Sequence, residues 1–226
     1  MLLAEELALV ALKPESGRFQ LGTGGNLNAC LAGLLVAELL LDGSVGPGKR
    51  DDHLIAVTGR PTPTFPALAA ALDVIAEKGP KMKGVLSDMS RGLERRLGMP
   101  TQEVVLSGLA GAGIVGGSTG GLLPKRPVLD RAAWSAVVDR LRAAATADGP
   151  IEPRTALLLS MTGPAHLLEV ITPERSTRRH ARHRIDHALD GSDLEPVGKI
   201  VRRLIRDAAE GAGAAAAIGG ATAASG

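Results

Sequence analysis

Apolar residues recur along most of this chain with the period of about 3.6 residues that marks one face of an α-helix. The segment from Leu27 to Leu41 is apolar on nearly every side, which predicts a central helix, and Asn26 precedes it as an N-cap. A later segment carries Pro66 in its first turn, and another begins with Thr101 as its cap. The predicted helices span residues 2–12, 27–41, 64–77, 83–97, 101–112, 131–147, 153–170, 174–189 and 196–210.

Three other segments lack this helical pattern. Residues 53–58, HLIAVT, predict a short strand, and residues 114–129, which begin in a glycine-rich turn, predict a β-hairpin. Residues 211–226 are of low complexity, with neither charge nor an apolar face, and predict a disordered tail. The sequence therefore predicts a mostly α fold, with a single compact helical domain over residues 1–210 and a short β-hairpin.

The composition fits this fold and narrows the function. At 226 residues the chain can bury one substantial core, which must be aliphatic because aromatic residues make up only 1%. Cys30 is the only cysteine, so there is no disulfide framework, which suits a reducing cytoplasm. Glu5 and Glu6 argue against a signal peptide, and Glu38 interrupts the longest apolar run. Any membrane contact is therefore expected to be peripheral.

Residues 111–116, GAGIVG, fit the dinucleotide-binding pattern G-x-G-x-x-G. That motif requires a strand before it and a helix after it, because the helix N-terminus holds the pyrophosphate. Here a helical pattern precedes the motif and glycines and prolines follow it, although Asp130 stands near the spacing of a ribose-binding acid. We interpret the motif as a helix C-terminus that leads into a glycine-rich turn. A nucleotide-binding enzyme is the remote alternative.

The remaining residue patterns give no support for catalysis. Ser107, Ser160 and Cys30 lack the neighbours that mark a nucleophile, and the phosphate-binding Gly-Lys-Ser/Thr pattern does not occur. Glu38 is either a catalytic carboxylate or, as we favour, a structural charge beside an arginine or a helix N-terminus. The sequence thus predicts no catalytic residue, no cofactor and no metal ligand.

The strongest charge feature is residues 175–187, RSTRRHARHRIDH. On a helix, four of its arginines form a stripe at i, i+3, i+4 and i+7, namely Arg175, Arg178, Arg179 and Arg182. Guanidinium groups bind phosphates bidentately, and each one near an anionic leaflet contributes about 1 kcal/mol. Residues 175–206 hold nine Lys/Arg and four Asp/Glu, so an anionic partner is expected here. The alternative is a solvated helix face whose arginines pair with acids elsewhere in the fold.

The residue types also bear on two further kinds of partner, metal ions and nucleic acid. His180, His183 and His187 share a helix face, which permits a metal site, but surface histidines without a ligand are the favoured interpretation. Nucleic acid is not an expected partner, because two Phe, one Trp and no Tyr leave little surface on which bases could stack.

Several stretches of the chain resemble the Golgi phosphoprotein 3 family. They are MLLAEELALVALKPESGRF and NACLAGLLVAELLLDGSV near the N-terminus, then VVLSGLAGAGIV and PRTALLLSMTGPAHLLEVI, and the ordered pattern covers residues 1–206. The resemblance implies a mostly helical, non-enzymatic peripheral membrane protein. The family's eukaryotic members bind phosphatidylinositol 4-phosphate, insert an apolar hairpin into the bilayer and retain glycosyltransferases through their tails.

The resemblance also marks positions of lipid contact. The family's headgroup pocket uses one Trp and three Arg, and alignment places other residues at those positions here, namely Thr23, Ala32, Met99 and Gln102. Three arginines just upstream of the last two positions are alternative headgroup ligands, namely Arg91, Arg95 and Arg96. The membrane hairpin of the family corresponds here to a segment that holds Leu122, Leu123, Lys125 and Arg126.

Together these patterns predict a cytoplasmic, peripherally membrane-associated protein that binds anionic phospholipid headgroups and acts as an adaptor. Its further partners would be the tails of client membrane proteins, and the family's self-association implies a homo-oligomer. A soluble helical scaffold for protein interactions, which has lost lipid binding, is the alternative.

Overall fold

Helices dominate the part of the chain that the computed structural model describes, namely residues 1–23, 26–47, 54–78, 93–119, 125–190, 194–195, 197–203 and 205–206. The helices in chain order are α1 (Leu3–Ala11), α2 (Leu27–Leu41), α3 (Pro66–Lys78), α4 (93–97), α5 (Thr101–Gly111), α6 (Arg131–Thr146), α7 (Pro153–Thr162), α8 (Leu168–Ile171), α9 (Arg175–His187) and α10 (197–203). The predicted mostly α fold is confirmed.

Helix α2 lies at the centre of the fold, as its apolar sequence predicts. Its residues from Cys30 to Leu39 are all buried, and α1, α3 and α5 pack against it. Helix α10 also reaches it, because a Cβ added to Gly33 would lie 3.0 Å from Val201 Cγ1. The absence of a side chain at Gly33 therefore lets two helices approach closely, and the buried aliphatic surface between helices is the main stabilising term.

Two short β elements flank the helical core. Strands β1 (Val45–Pro47) and β2 (Leu54–Ala56) pair antiparallel with Gly46 opposite Ile55, which confirms the strand predicted within residues 53–58. The predicted hairpin over residues 114–129 is present in its two arms, where Val115 bridges Val128 and Thr119 bridges Lys125. Its tip, including Leu122 and Leu123, lies outside the described residues.

The structure corrects one predicted helix. Residues 153–170 form α7 and α8 rather than a single helix, because the turn at Gly163 and Pro164 separates them. Pro164 has no N–H to continue the helical hydrogen bonds, and His166 in the same turn has a positive φ of 56°.

Two helix starts in the structure also differ from the prediction. Thr101 is the first residue of α5 rather than its cap, and Pro100 occupies the N-cap position. Asn26 holds the predicted N-cap position of α2, but its side chain makes no capping hydrogen bond. Of the predicted helix at 83–97 only residues 93–97 are described, and the predicted tail at 211–226 lies outside the described residues.

Within the described ranges, every helix is too short or too polar to span a bilayer.

Candidate lipid-binding surfaces

Helix α9 presents most of its arginines to solvent because Ala181 and Ile185 form its buried side. Arg178 is an exception within the predicted stripe. Its Nε donates to the Thr172 carbonyl at 2.9 Å, its Nη1 to Glu169 Oε1 at 2.6 Å and its Nη2 to the Pro173 carbonyl at 2.7 Å. These bonds fasten the segment between α8 and α9, so this guanidinium is occupied within the fold.

The other three arginines of the stripe are exposed, namely Arg175, Arg179 and Arg182. Among the described residues none of their guanidinium groups makes a hydrogen bond or an ion pair. They lie on successive turns, so at 1.5 Å per residue the row from Arg175 to Arg182 is about 10 Å long. This row can contact more than one phosphate at the same time. We call these three residues the arginine row.

Further cations follow α9 in the sequence. Arg203 and Arg206 are exposed, whereas Lys199 pairs with Glu195 one turn away. Arg184 is engaged at the other side of α9, where it donates to the carbonyls of Ala144 at 3.2 Å and Gly149 at 3.0 Å. The basic C-terminal region therefore contains both arginines that hold the fold and arginines that are available to a ligand.

The histidines of α9 form a small surface cluster. The rings of His183 and His187 lie 4.6 Å apart in an edge-to-face arrangement, and His187 Nδ1 lies 3.0 Å from Asp190 Oδ2. The described residues contain no group of three or more His, Cys, Asp or Glu side chains that could hold a metal ion.

The arginines near α4 differ in their availability. Arg96 pairs with Glu77 at the C-terminal end of α3, and this hydrogen bond raises the pKa of Arg96. Arg95 is exposed and has no partner within the described residues. Arg91 lies outside them.

The four positions aligned with the family's headgroup pocket carry no charge here. Thr23 is 1% exposed and donates through Oγ1 to the Gln20 carbonyl at 2.8 Å, and Ala32 is fully buried. The backbone N–H of Gln102 donates to Asn28 Oδ1 at 3.2 Å, so α2 and the start of α5 do meet here. Met99 is 37% exposed beside them. The start of α5 and helix α2 therefore lie together, but these four positions provide no cation for a headgroup.

Lys125 and Arg126, the two predicted membrane-hairpin residues that the structure describes, differ in their exposure to solvent. Arg126 forms an ion pair with Glu103 of α5, and its side chain is only 12% exposed. Lys125 is exposed. A Cβ added to Gly17, whose φ is 66°, would lie 2.5 Å from the Arg126 carbonyl oxygen, so the loop after α1 is pressed against the hairpin base. Arg126 therefore positions the hairpin, and of this pair only Lys125 faces solvent.

Glu38 is a structural charge, as the sequence favoured. Its Oε1 accepts from the Leu3 backbone N–H at 2.6 Å and from Arg154 Nη2 at 2.7 Å, while its Oε2 accepts from Arg154 Nη1 at 3.1 Å. The hydrogen bond with Glu38 raises the pKa of Arg154. Glu38 thus joins the N-terminus of α1 to the start of α7.

The glycine motif at residues 111–116 ends a helix rather than starting one. Gly113 has a φ of 72°, its N–H donates to the Ala110 carbonyl at 3.0 Å, and the Ile114 N–H donates to the Leu109 carbonyl at 2.9 Å. These two bonds form a Schellman motif, which closes α5. Asp130 caps α6 by accepting from the Ala133 N–H. The geometry of a dinucleotide site is therefore absent at this motif.

A groove of about 630 Å³ lies where the loop after Phe19, the α7–α8 turn, α9 and α10 meet. Its lining includes Arg182 of the arginine row, Arg202, Asp186, His166 and Leu21. The charge pattern of the sequence indicated the two arginines. It gave no signal for Leu21 or His166, which come from segments distant in sequence and are brought together only by the tertiary fold.

A comparison with protein-family models agrees with the resemblance seen in the sequence. The model described as Golgi phosphoprotein 3 (GPP34) matches residues 3–208, which include every helix and strand named above. A search of curated proteins gave no significant match.

Proposed function

The chain belongs to the Golgi phosphoprotein 3 family, and we propose that it acts as a non-enzymatic peripheral membrane protein that binds anionic phospholipid headgroups. In this proposal it serves as a cytoplasmic adaptor that links the membrane to the tails of client membrane proteins and self-associates. Phosphatidylinositol 4-phosphate, the lipid of the family's eukaryotic members, is one candidate ligand.

The arginine row is the observation that carries the proposal. Arg175, Arg179 and Arg182 are exposed, and each lacks a partner among the described residues. A guanidinium group near an anionic leaflet contributes about 1 kcal/mol, so the row contributes about 3 kcal/mol. Because these charges are exposed, salt screens them over a Debye length of about 10 Å at 0.1 M. The expected binding is therefore weak and salt-sensitive.

The pocket positions favour recognition of general anionic charge over one phosphoinositide. Thr23, Ala32, Met99 and Gln102 supply neither a guanidinium group nor an aromatic face. Selective recognition of a phosphorylated inositol ring normally uses several fixed charge-assisted hydrogen bonds. Among the described arginines near α4, only Arg95 is unpaired and could offer one. We therefore expect little preference for phosphatidylinositol 4-phosphate over other acidic lipids of equal charge.

A soluble scaffold for protein interactions is the second candidate function. Three of the arginines that the sequence predicts as lipid ligands form ion pairs with acidic residues inside the fold, namely Arg96, Arg126 and Arg178. Because these three are not free to bind a headgroup, they favour the scaffold function. A nucleotide-binding enzyme is disfavoured, because the Schellman motif at Gly113 occupies the place where a phosphate-binding helix would begin.

Vesicle co-sedimentation tests the proposal. The protein is mixed with neutral phosphatidylcholine vesicles, with vesicles that also contain phosphatidylserine, and with vesicles of equal charge that contain phosphatidylinositol 4-phosphate, each at low and at physiological salt. The row variant R175Q/R179Q/R182Q is compared with R18Q/R60Q/R131Q, which removes the same charge from exposed arginines elsewhere.

We expect the wild type and the control variant to pellet with both acidic vesicle types at low salt, and the row variant to remain in solution. Equal loss in both variants would mean that net charge rather than the row drives binding. Absence of wild-type binding to every vesicle would contradict the membrane function and favour the soluble scaffold.

A further inference from the structure

The groove between α7, α9 and α10 differs from the arginine row because it carries charges of both signs. Arg182 and Arg202 line it on the positive side. Arg202 donates through Nη1 to the Asp186 backbone carbonyl at 3.3 Å, which places its guanidinium beside α9. The guanidinium of Arg182 makes no hydrogen bond within the described residues. Two guanidinium groups can therefore face one ligand.

Acceptors line the same groove. Glu169 is engaged by Arg178, whereas the Asp186 carboxylate has no hydrogen-bond or ion-pair partner among the described residues. Ser160 also lines the groove, and its backbone carbonyl receives no N–H from the residue four positions later, because that residue is Pro164. The groove is thus lined by a carboxylate, Asp186, and a guanidinium, Arg182, that make no side-chain hydrogen bond within the described residues.

An apolar residue stands at the mouth of the groove. Leu21 is 87% exposed, which makes it the most exposed large apolar side chain in the described part of the chain. The next residue, Gly22, has a φ of 86°, and a Cβ there would lie 3.7 Å from His166 Cβ. His166 itself has a φ of 56°. The turn at Gly22 and the turn at His166 therefore meet and hold Leu21 at this rim. The positive φ of His166 is uncommon for a residue with a side chain, and such conformations are concentrated at binding sites.

We propose that this groove binds the headgroup of a zwitterionic phospholipid that carries a phosphodiester and a primary ammonium group. Arg182 and Arg202 bind the phosphodiester, Asp186 accepts hydrogen bonds from the ammonium, and Leu21 enters the apolar region of the leaflet. The proposal shares with the proposed function Arg182 and the premise that the protein meets a bilayer, but it concerns a different lipid, one without net charge.

The acceptors decide between this ligand and a simple anion. A phosphate alone would leave the Asp186 carboxylate facing a like charge, which costs binding energy. A headgroup with a primary ammonium group satisfies both signs, because it offers three N–H donors to the carboxylate. A quaternary ammonium has the same charge and no N–H donor. Phosphocholine headgroups are therefore expected to bind more weakly than phosphoethanolamine headgroups.

A soluble probe tests the groove apart from any membrane. The full chain is titrated with glycerophosphoethanolamine and with glycerophosphocholine, which differ only in three methyl groups on nitrogen, and binding is followed by NMR shifts of the backbone amides. We expect glycerophosphoethanolamine to bind about tenfold more tightly, because only its ammonium group can donate a hydrogen bond to the Asp186 carboxylate. The amide shifts are expected at residues 160–168 and 182–186. Equal binding, or no binding, of the two probes would overturn the proposal.

Variants then assign the roles. D186N is expected to abolish the preference for glycerophosphoethanolamine, and R182Q to weaken both probes by about tenfold. L21N should leave the soluble probes unaffected and weaken binding to vesicles that contain phosphatidylethanolamine. Because Leu21, Arg182 and Asp186 are exposed, all three variants are expected to fold, which thermal unfolding verifies. Retention of the preference in D186N would contradict the proposed role of the carboxylate.

Vesicles distinguish failure of this proposal from failure of the proposed function. On vesicles that contain phosphatidylglycerol, an anionic lipid whose headgroup has no ammonium group, D186N should bind more tightly than the wild type, since it removes a negative charge beside the arginine row. On uncharged vesicles that contain phosphatidylethanolamine the same variant should bind less tightly. If D186N weakened binding to both vesicle types, or strengthened binding to both, the zwitterion site would be overturned. The binding of anionic lipid by the arginine row would then remain supported.

Discussion

The N-terminal helices of this protein contain few charged residues and its C-terminal basic region contains many, and the two regions use them in opposite ways. In the first region Glu6 and Glu38 are each about 8% exposed or less, and they pair with Arg140 and Arg154. In the second region the arginine row is exposed and makes no pair among the described residues. A buried charge without a partner strongly lowers the free energy of unfolding, whereas an exposed charge without a partner lowers it little. The difference separates charges that hold the fold from charges that are available to a ligand.

Removal of the Glu38 side chain should have the largest effect on stability. Glu38→Ala leaves the Leu3 N–H and the Arg154 guanidinium without their acceptor, and we expect a loss of about 3 kcal/mol in the free energy of unfolding. The figure lies at the low end for a buried pair because the Arg154 side chain is 39% exposed. Denaturant unfolding measures it.

A double-mutant cycle with Arg154→Met gives the coupling between the two side chains. We expect the loss in E38M/R154M to be smaller than the sum of the losses in E38M and R154M, since a buried charge without a partner costs more than its replacement by an apolar group. Additive effects would show that Glu38 acts through Leu3 alone. Replacement of an arginine in the row, in contrast, should change stability by less than about 0.5 kcal/mol.

Arg178 and Arg179 allow the same comparison within one helix. Arg178→Ala removes hydrogen bonds to Thr172, Pro173 and Glu169, and we expect a loss of about 1 to 2 kcal/mol in stability. Arg179→Ala removes no bond within the described residues and should be neutral for stability, but it should weaken adsorption to acidic vesicles by about fivefold. Thermal unfolding and co-sedimentation of both variants check this. If the two variants changed stability equally and vesicle binding equally, arginines that hold the fold could not be distinguished from arginines that bind a ligand.

The fold was predictable where one local pattern decides the outcome. The bounds of α2 were predicted as observed, because its apolar residues leave no other way to bury them and a turn at Asp42 and Gly43 ends it. Periodicity does not predict the break between α7 and α8, since the apolar residues on both sides of Gly163 and Pro164 continue the helical pattern through the turn. A pattern of apolar residues is weak evidence at such a position, and the missing N–H of a proline is decisive.

The site was less predictable than the fold, because the role of an arginine depends on the acceptors near it. All four arginines of the stripe belong to the same i, i+3, i+4, i+7 pattern, yet Arg178 alone donates to the carbonyls that the chain exposes between α8 and α9. Those carbonyls are free because Thr172 and Pro173 lie outside a helix. Leu21 and Asp186, likewise, meet at one groove only through tertiary packing. Helical periodicity therefore identifies a basic face but not which of its members are unoccupied.

The smallest expected effect concerns two glutamates at helix N-caps, one next to the start of α7, where Arg154 pairs with Glu38, and one at the start of the basic helix α9. Glu152 accepts at the start of α7 from the backbone N–H groups of Arg154 at 2.8 Å and Thr155 at 2.7 Å, whereas Glu174 makes no side-chain cap at the start of α9. Burial raises the pKa of Glu152, but the hydrogen bonds from Thr155 and from the two backbone N–H groups outweigh it and lower the pKa below its ordinary value of 4.5.

A carboxylate whose pKa is lower in the folded state stabilises the protein above its unfolded pKa and loses this contribution as the pH falls through the folded value. Glu152→Ala should therefore cost about 1 kcal/mol at pH 7, and the difference from the wild type should shrink as the pH falls below 4.5. Unfolding by urea from pH 7 to pH 3 measures it, with Glu174→Ala as the control that should change stability little at any pH. A cost of Glu152→Ala that stays constant over this range would show that the charge of the cap contributes nothing, and that a neutral acceptor suffices at the start of α7.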